Sequence, residues 1–185
     1  MTSLKLVEKM FSNDPLTELK KQMLDLAADI ETLDLPNKVY MISYNDGTFD
    51  SVYSNEYHKT IKGKFDAIHF KESEDSGKQV FQIVLLDSEE PRRLVVSGGV
   101  NAFVVIDFIN RLCNLKDPND VDVELYFEEN QKGDKKYING RIRVPSVNEE
   151  LKPLLYYNYI PKDKDERLKE FLHQVSELMK RKEIF

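Results

Sequence analysis

Tyr126, Tyr137, Arg141 and Arg143 come nearest, by type and spacing, to a set of side chains with a chemical task. Strand alternation puts Tyr137, Arg141 and Arg143 on one side of a strand, beside Tyr126 on its neighbour. Bases stack on aromatic rings and guanidinium groups reach phosphates, which is the combination that holds single-stranded nucleic acid. Lys132, Lys135 and Lys136 belong to the loop between these strands, Arg92 and Arg93 open an earlier strand, and Lys62 and Lys64 share the outer side of another. Together these residues are the candidate nucleic-acid-binding set. Each alone also fits a solvated sheet face, since exposed aromatic and basic residues are common.

Catalytic alternatives are thin. His58, His69 and His173 are the only histidines, none at ligand spacing with another or with Cys113, so no zinc site is expected. No Gly-Lys-Ser/Thr phosphate loop and no Gly-x-Ser-x-Gly elbow occurs. Gly98-Gly99 before a helix could seat an anion, but a sheet-to-helix corner accounts for both glycines. Asp120, Asp122 and Glu124 alternate along a strand, ~7 Å apart, and such a row can hold Mg²⁺ for phosphodiester hydrolysis. The solvated face of an amphipathic strand is the better explanation of the row. The expectation is a protein that is not an enzyme and has neither cofactor nor metal, with a Mg²⁺-dependent nuclease as the third reading.

These residues need a scaffold, and the segment 59–144 reads as strand, strand, strand, helix, strand, strand, the order of a small Greek-key barrel. In the first strand Ile61, Gly63, Phe65 and Ala67 share one face, and then Ile68 and Phe70 switch parity, as a β-bulge leaves it. The second strand, 79–86, is almost continuously apolar and expects burial on both faces; the third is 92–97. Asn101 is placed to cap a helix running to about Leu115, with Phe103, Ile106, Ile109, Leu112 and Cys113 inward and Asp107 and Arg111 outward. The fourth strand puts Val121, Val123, Leu125 and Phe127 inward, and the fifth Ile138, Gly140, Ile142 and Val144.

Before the barrel, Leu16, Leu19, Met23, Leu26, Ile30 and Leu33 form a heptad seam, either laid on the barrel or self-associating into a homo-oligomer. Asn45-Asp46-Gly47 then predicts a hairpin that extends or caps the following sheet. After the barrel, Tyr156, Tyr157 and Tyr159 are expected to pack a C-terminal helix onto it, and Asp163 with Glu166 to start that helix, whose stripe is Leu168, Phe171, Leu172, Val175, Leu178 and Met179. The resulting division is 1–57, 58–145 and 146–185, all within one compact domain.

Bulk properties set the limits. The 185 residues are ample for a core without staples, and one cysteine excludes an internal disulfide and suits a reducing compartment. No apolar run is long enough for a membrane span, and Met1-Thr2-Ser3-Leu4-Lys5 lacks a signal-peptide core, so the cytoplasm is the expected location. Net charge is −6. Residues 1–57 hold 5 Lys/Arg against 10 Asp/Glu, residues 58–145 hold 14 against 15, and residues 146–185 hold 8 against 8. The acidity belongs to the N-terminal third, leaving the barrel segment close to neutral.

The element order, the bent strand at Ile61-Lys62-Gly63-Lys64-Phe65 and the paired segments 121–127 and 136–144 resemble the oligonucleotide/oligosaccharide-binding (OB) fold, and within it the single-stranded DNA-binding proteins of phage type. The resemblance covers about half the chain. It implies a five-stranded OB-type β-barrel with a helix between strands three and four, binding single-stranded DNA with little sequence preference during replication or recombination. It also implies replication or recombination proteins as partners, and the host cytoplasm for a phage protein. The last six residues, Lys180-Arg181-Lys182-Glu183-Ile184-Phe185, are not the acidic tail common in such proteins, so recruitment through a tail is not carried over. The alternative is a protein-interaction or oligomerisation module on the same barrel.

Overall fold

The computed structural model describes residues 19–20, 37–74 and 76–183. Among them the chain is mainly β, with two α-helices and a nine-stranded mixed sheet. The strands are β1 (Asn37–Ser43), β2 (Thr48–Ser51), β3 (Tyr57–His58), β4 (Thr60–Glu72), β5 (Gln79–Leu86), β6 (Arg93–Gly99), β7 (Asp122–Lys132), β8 (Lys135–Val144) and β9 (Glu149–Glu150). Helix α1 is Phe103–Leu112 and helix α2 is Lys164–Glu183. Their order across the sheet is β3-β2-β1-β6-β5-β4-β7-β8-β9.

The predicted strand-strand-strand-helix-strand-strand run is present as β4, β5, β6, α1, β7 and β8. Its strands lie side by side in the row β6-β5-β4-β7-β8. A closed five-stranded barrel needs the two ends of that row to pair. They do not: the sheet is open, and β6 gives its outer edge to β1, in parallel, from Asn37 opposite Arg93 to Met41 opposite Ser97. The expected hairpin therefore extends the sheet, turning through Gly47 at φ 68, a left-handed conformation that suits glycine.

Side chains of the added hairpin reach across to β7, β8 and the helix, where strand hydrogen bonds do not. Phe49 on β2 stacks against Phe127 on β7, with ring centroids 4.5 Å apart, and against Phe108 of α1 at 5.8 Å. A Cβ on Gly47 would touch Ile138 of β8 at 3.4 Å. The concave face so formed carries Ile61, Phe65, Ile68, Phe70, Phe81, Ile83, Leu85, Val96, Val123, Leu125 and Ile142, all buried. The parity switch in β4 is a bulge: Phe65 pairs with Leu85 and Ala67 with Val84, leaving Asp66 as the extra residue. Val84 is buried on the opposite face of β5, so that strand is covered on both sides.

α1 fills the concave face and seals the edge of β8. Its close approach depends on Gly140, where a Cβ would lie 2.8 Å from the Val104 carbonyl oxygen and 3.1 Å from the Phe108 ring. Gly98 likewise faces Val105, which gives the Gly98-Gly99 pair a packing role. Asp107 and Arg111 do not point outward as expected. Asp107 accepts the Gly140 amide at the strand edge, and Arg111 is buried against residues 150–151. Phe103, assigned to the core, is 61% exposed, because it stands at the first turn beyond the sheet. Ala102, not Asn101, is the N-cap, and it makes no side-chain cap bond.

α2 carries the predicted apolar stripe inward, with Leu168, Phe171, Leu172, Val175, Leu178 and Met179 buried. The Asp163 carboxylate accepts the amides of Asp165 and Glu166, capping the helix as its position implied. At the other end, Arg181 donates to the Cys113 and Leu115 carbonyls that α1 leaves open, each at 3.0 Å. Lys182 does the same for the β4 bulge, reaching the Phe65 carbonyl at 3.1 Å as well as the Asp66 carbonyl. Of the heptad segment only Leu19 and Lys20 are described. Both are helical, and Leu19 packs against the core. The rest of that seam, and the self-association read from it, lie outside the described residues.

Candidate nucleic-acid interface

β7 and β8 pair from Glu124 opposite Arg143 to Lys132 opposite Lys135. β4 pairs with only the first part of β7, from Asp122 to Tyr126. The far half of the hairpin is thus a two-stranded arm beyond the edge of β4, turned by Gly133 at φ 61. Gly140 and Ile142 face inward, so Tyr137, Asn139, Arg141 and Arg143 share the outer face with Glu124, Tyr126 and Glu128.

The cross-strand rows define that face. Thr60, Tyr126 and Arg141 form one row, Lys62, Glu124, Arg143 and Glu150 a second, and Lys64 with Asp122 a third. Charges alternate in sign along the second row. Across the face the cations Lys62, Lys64, Arg141 and Arg143 are matched by Asp122, Glu124, Glu128 and Glu150. The surface is close to neutral, in keeping with the charge count for this part of the chain.

Several predicted cations are already engaged. Lys64 is 2.6 Å from Asp120, a pairing that raises the lysine pKa and lowers that of the carboxyl. Arg141 is held by Glu128 at 2.7 Å and Glu150 at 3.3 Å. Lys136 pairs with Glu129 at 3.0 Å, and Arg92 with Asp87 at 2.7 Å and Glu90 at 3.3 Å. Arg93 is only 3% exposed and is lost to any surface role, because β1 covers the β6 edge where it lies. Arg143 spreads its guanidinium over the Tyr126 ring, 5.1 Å from the centroid, and stays exposed. Lys62, Lys132 and Lys135 are exposed, and among the described residues no carboxylate lies within ion-pair distance of them. Tyr137 is exposed opposite Asn130.

The structure thus brings Lys62, Tyr126, Lys132, Lys135, Lys136, Tyr137, Arg141 and Arg143 onto one hairpin and its neighbour, and leaves Arg92 and Arg93 on another part of the sheet. The acidic row read as a metal candidate is broken up. The strand begins at Asp122, Asp120 sits before it at φ 53, and Asp120 is tied to Lys64. Among the described residues no group of three His, Cys, Asp or Glu side chains converges as metal ligands do. No helix among them is long and apolar enough to cross a membrane.

The largest departure concerns Tyr156, Tyr157 and Tyr159. Expected to pack beneath α2, they are 65%, 77% and 74% exposed, in a short 3₁₀ turn (Tyr157–Tyr159). Their exposure follows from how the preceding residues are fixed. Arg111 donates to the Leu151 carbonyl at 2.7 Å and Asn114 to that of Lys152 at 3.0 Å. The buried Asn110 side chain donates to the Leu155 carbonyl and accepts its amide, at 2.8 and 2.9 Å. Leu154 and Leu155 turn into the core and the tyrosines turn out. Pro153 and Pro161, which bracket the stretch, are the sequence signal for a surface loop. A scan against protein-family models, a search of curated proteins and a search of solved structures each found no match to the chain.

Proposed function

We propose that this protein binds single-stranded DNA with little sequence preference, on the outer face of β7 and β8, and shields it during replication or recombination. The row β6-β5-β4-β7-β8 around α1 is, in this reading, an OB-type barrel whose closing edge is filled by β1. One observation carries the proposal: Tyr137 and the Arg143-covered Tyr126 share a face with Lys62, Lys132 and Lys135, which no carboxylate engages among the described residues. Bases stack on Tyr137 and on the Tyr126–Arg143 pair, while Lys62, Lys132 and Lys135 meet phosphates. Arg141, whose Nε is held by Glu128 and Glu150, holds the face in shape and does not contact the ligand.

Four available cations, Lys62, Lys132, Lys135 and Arg143, set the electrostatic share of affinity. For single strands, they give a salt slope of log K against log salt no steeper than about −3. Fluorescence polarisation with labelled oligo-dT, titrated across salt, tests both claims. Tyr137→Ala and Arg143→Ala each weaken binding while the fold is retained. Absence of binding at low salt overturns the proposal.

A further inference from the structure

We infer that the turn bearing Tyr156, Tyr157 and Tyr159 is a second stacking platform for unpaired bases, extending the path of a single strand beyond the β7–β8 face. This rests on the single-strand reading above. Three tyrosines within four residues of one another are exposed here together. Exposure alone does not select a ligand; rigidity and charge do.

The turn is held from behind. Asn110, Arg111 and Asn114 of α1 and the residues just after it grip the backbone at Leu151, Lys152 and Leu155. The rings therefore stand on an anchored base and lose little freedom on stacking.

Charge favours an anionic ligand. From Leu151 to Lys162 the segment holds Lys152 and Lys162 and no acidic residue. The nearest carboxylates by chain are occupied: Glu150 is shared by Arg111 and Arg141, and Asp163 caps α2. Rings flanked by a lysine on either side along the chain suit a strand whose bases stack and whose phosphates face outward. The two platforms are also close along the chain. β9 pairs with the end of β8, the Leu151 amide donates to the Ile142 carbonyl, and Tyr156 follows within six residues of Glu150, a span of at most ~20 Å.

Three variants of the full chain test the inference: all three tyrosines to Phe, all three to Leu, and Tyr137→Ala as the control for the sheet face. Binding of oligo-dT is measured for a short oligomer that one platform accommodates and a longer one that spans both. Phe keeps the π-face, whereas Leu keeps apolar area and loses it. The triple Phe variant binds both oligomers as the wild type does. The triple Leu variant loses affinity for the longer oligomer by roughly ten- to a hundredfold, and keeps its affinity for the short one. Wild-type affinity of the Leu variant for the longer oligomer, with Tyr137→Ala still weakened, overturns the inference and leaves the β7–β8 reading standing. Wild-type protein that binds neither oligomer at low salt overturns both. Self-association of the wild type that the Leu variant abolishes, with DNA affinity unchanged, assigns the turn to a second copy of this chain and likewise overturns it.

Discussion

The Asp107 carboxylate accepts the backbone amide of Gly140 at 3.1 Å, so one helix side chain stands in for a missing strand at the edge of β8. The acid is mostly buried, and burial lifts its pKa above the ordinary 3.8, although the Gly140 amide, Arg141 and Arg111 pull the other way. The folded protein therefore holds this proton at pH values where the unfolded chain has released it.

The sign of the effect follows. Below 3.8 both states are protonated and Asp107 imposes no penalty. As pH rises through the raised folded value, ionising the buried group costs stability, and the cost is complete above it. Asp107→Asn keeps an acceptor for Gly140 and removes the charge, so it is more stable than wild type near about pH 7, and the gap closes on acidification to about pH 4. Asp107→Ala leaves the amide unpaired and loses about 1–3 kcal/mol at low pH, and less near neutral pH, where it also escapes the ionisation penalty. Urea midpoints for the three proteins across pH check the pattern; a gap between the Asn variant and wild type that widens on acidification contradicts it.

Asn110→Ala removes the clamp directly behind the tyrosine turn. It removes the donor to the Leu155 carbonyl and the acceptor for its amide. The expected loss is about 2 kcal/mol of global stability. Faster hydrogen exchange at Leu155 accompanies it, because the local clamp is gone. Exchange at Leu155 unchanged from wild type would show that other contacts fix the turn.

Cys113 offers a reporter for the far end of α1. Its thiol is buried and its pKa is pushed up to about 12, so almost no thiolate exists at neutral pH. Modification by a thiol-specific disulfide reagent is expected to track global unfolding in urea. Rapid reaction under native conditions would mean that α1 and α2 separate locally.

Much of the scaffold was legible because it depends on local rules. The bulge in β4 showed as a one-residue change of parity, read between Ala67 and Ile68 but formed one residue earlier, at Asp66, so that Ala67 leaves the Phe65 face; the hairpin turn showed in Asn45-Asp46-Gly47. The cap at Asp163 and the stripe of α2 were equally local. Pairing partners were not legible. Nothing in residues 39–43 distinguishes an antiparallel neighbour from the parallel edge of β6, and that choice decides whether the barrel closes. The site divided the same way. Alternation placed Tyr126 beside Arg141, but burial of Arg93 and capture of Arg141 by Glu128 come from tertiary neighbours. The tyrosine turn was misread because leucines beside tyrosines suggest a shared core, whereas the clamp that separates them is a single asparagine on α1.

The parallel seam between β1 and β6 also imposes a timetable. Strands β5 and β6, or β7 and β8, are joined by short turns and can meet as soon as both exist. β1 leaves the ribosome before β6 has been made, and its partner arrives only after four intervening strands. Contacts that span so much chain close late, after the entropy of the enclosed loop has been lost. β1 thus has to wait for β6 before it can join the sheet.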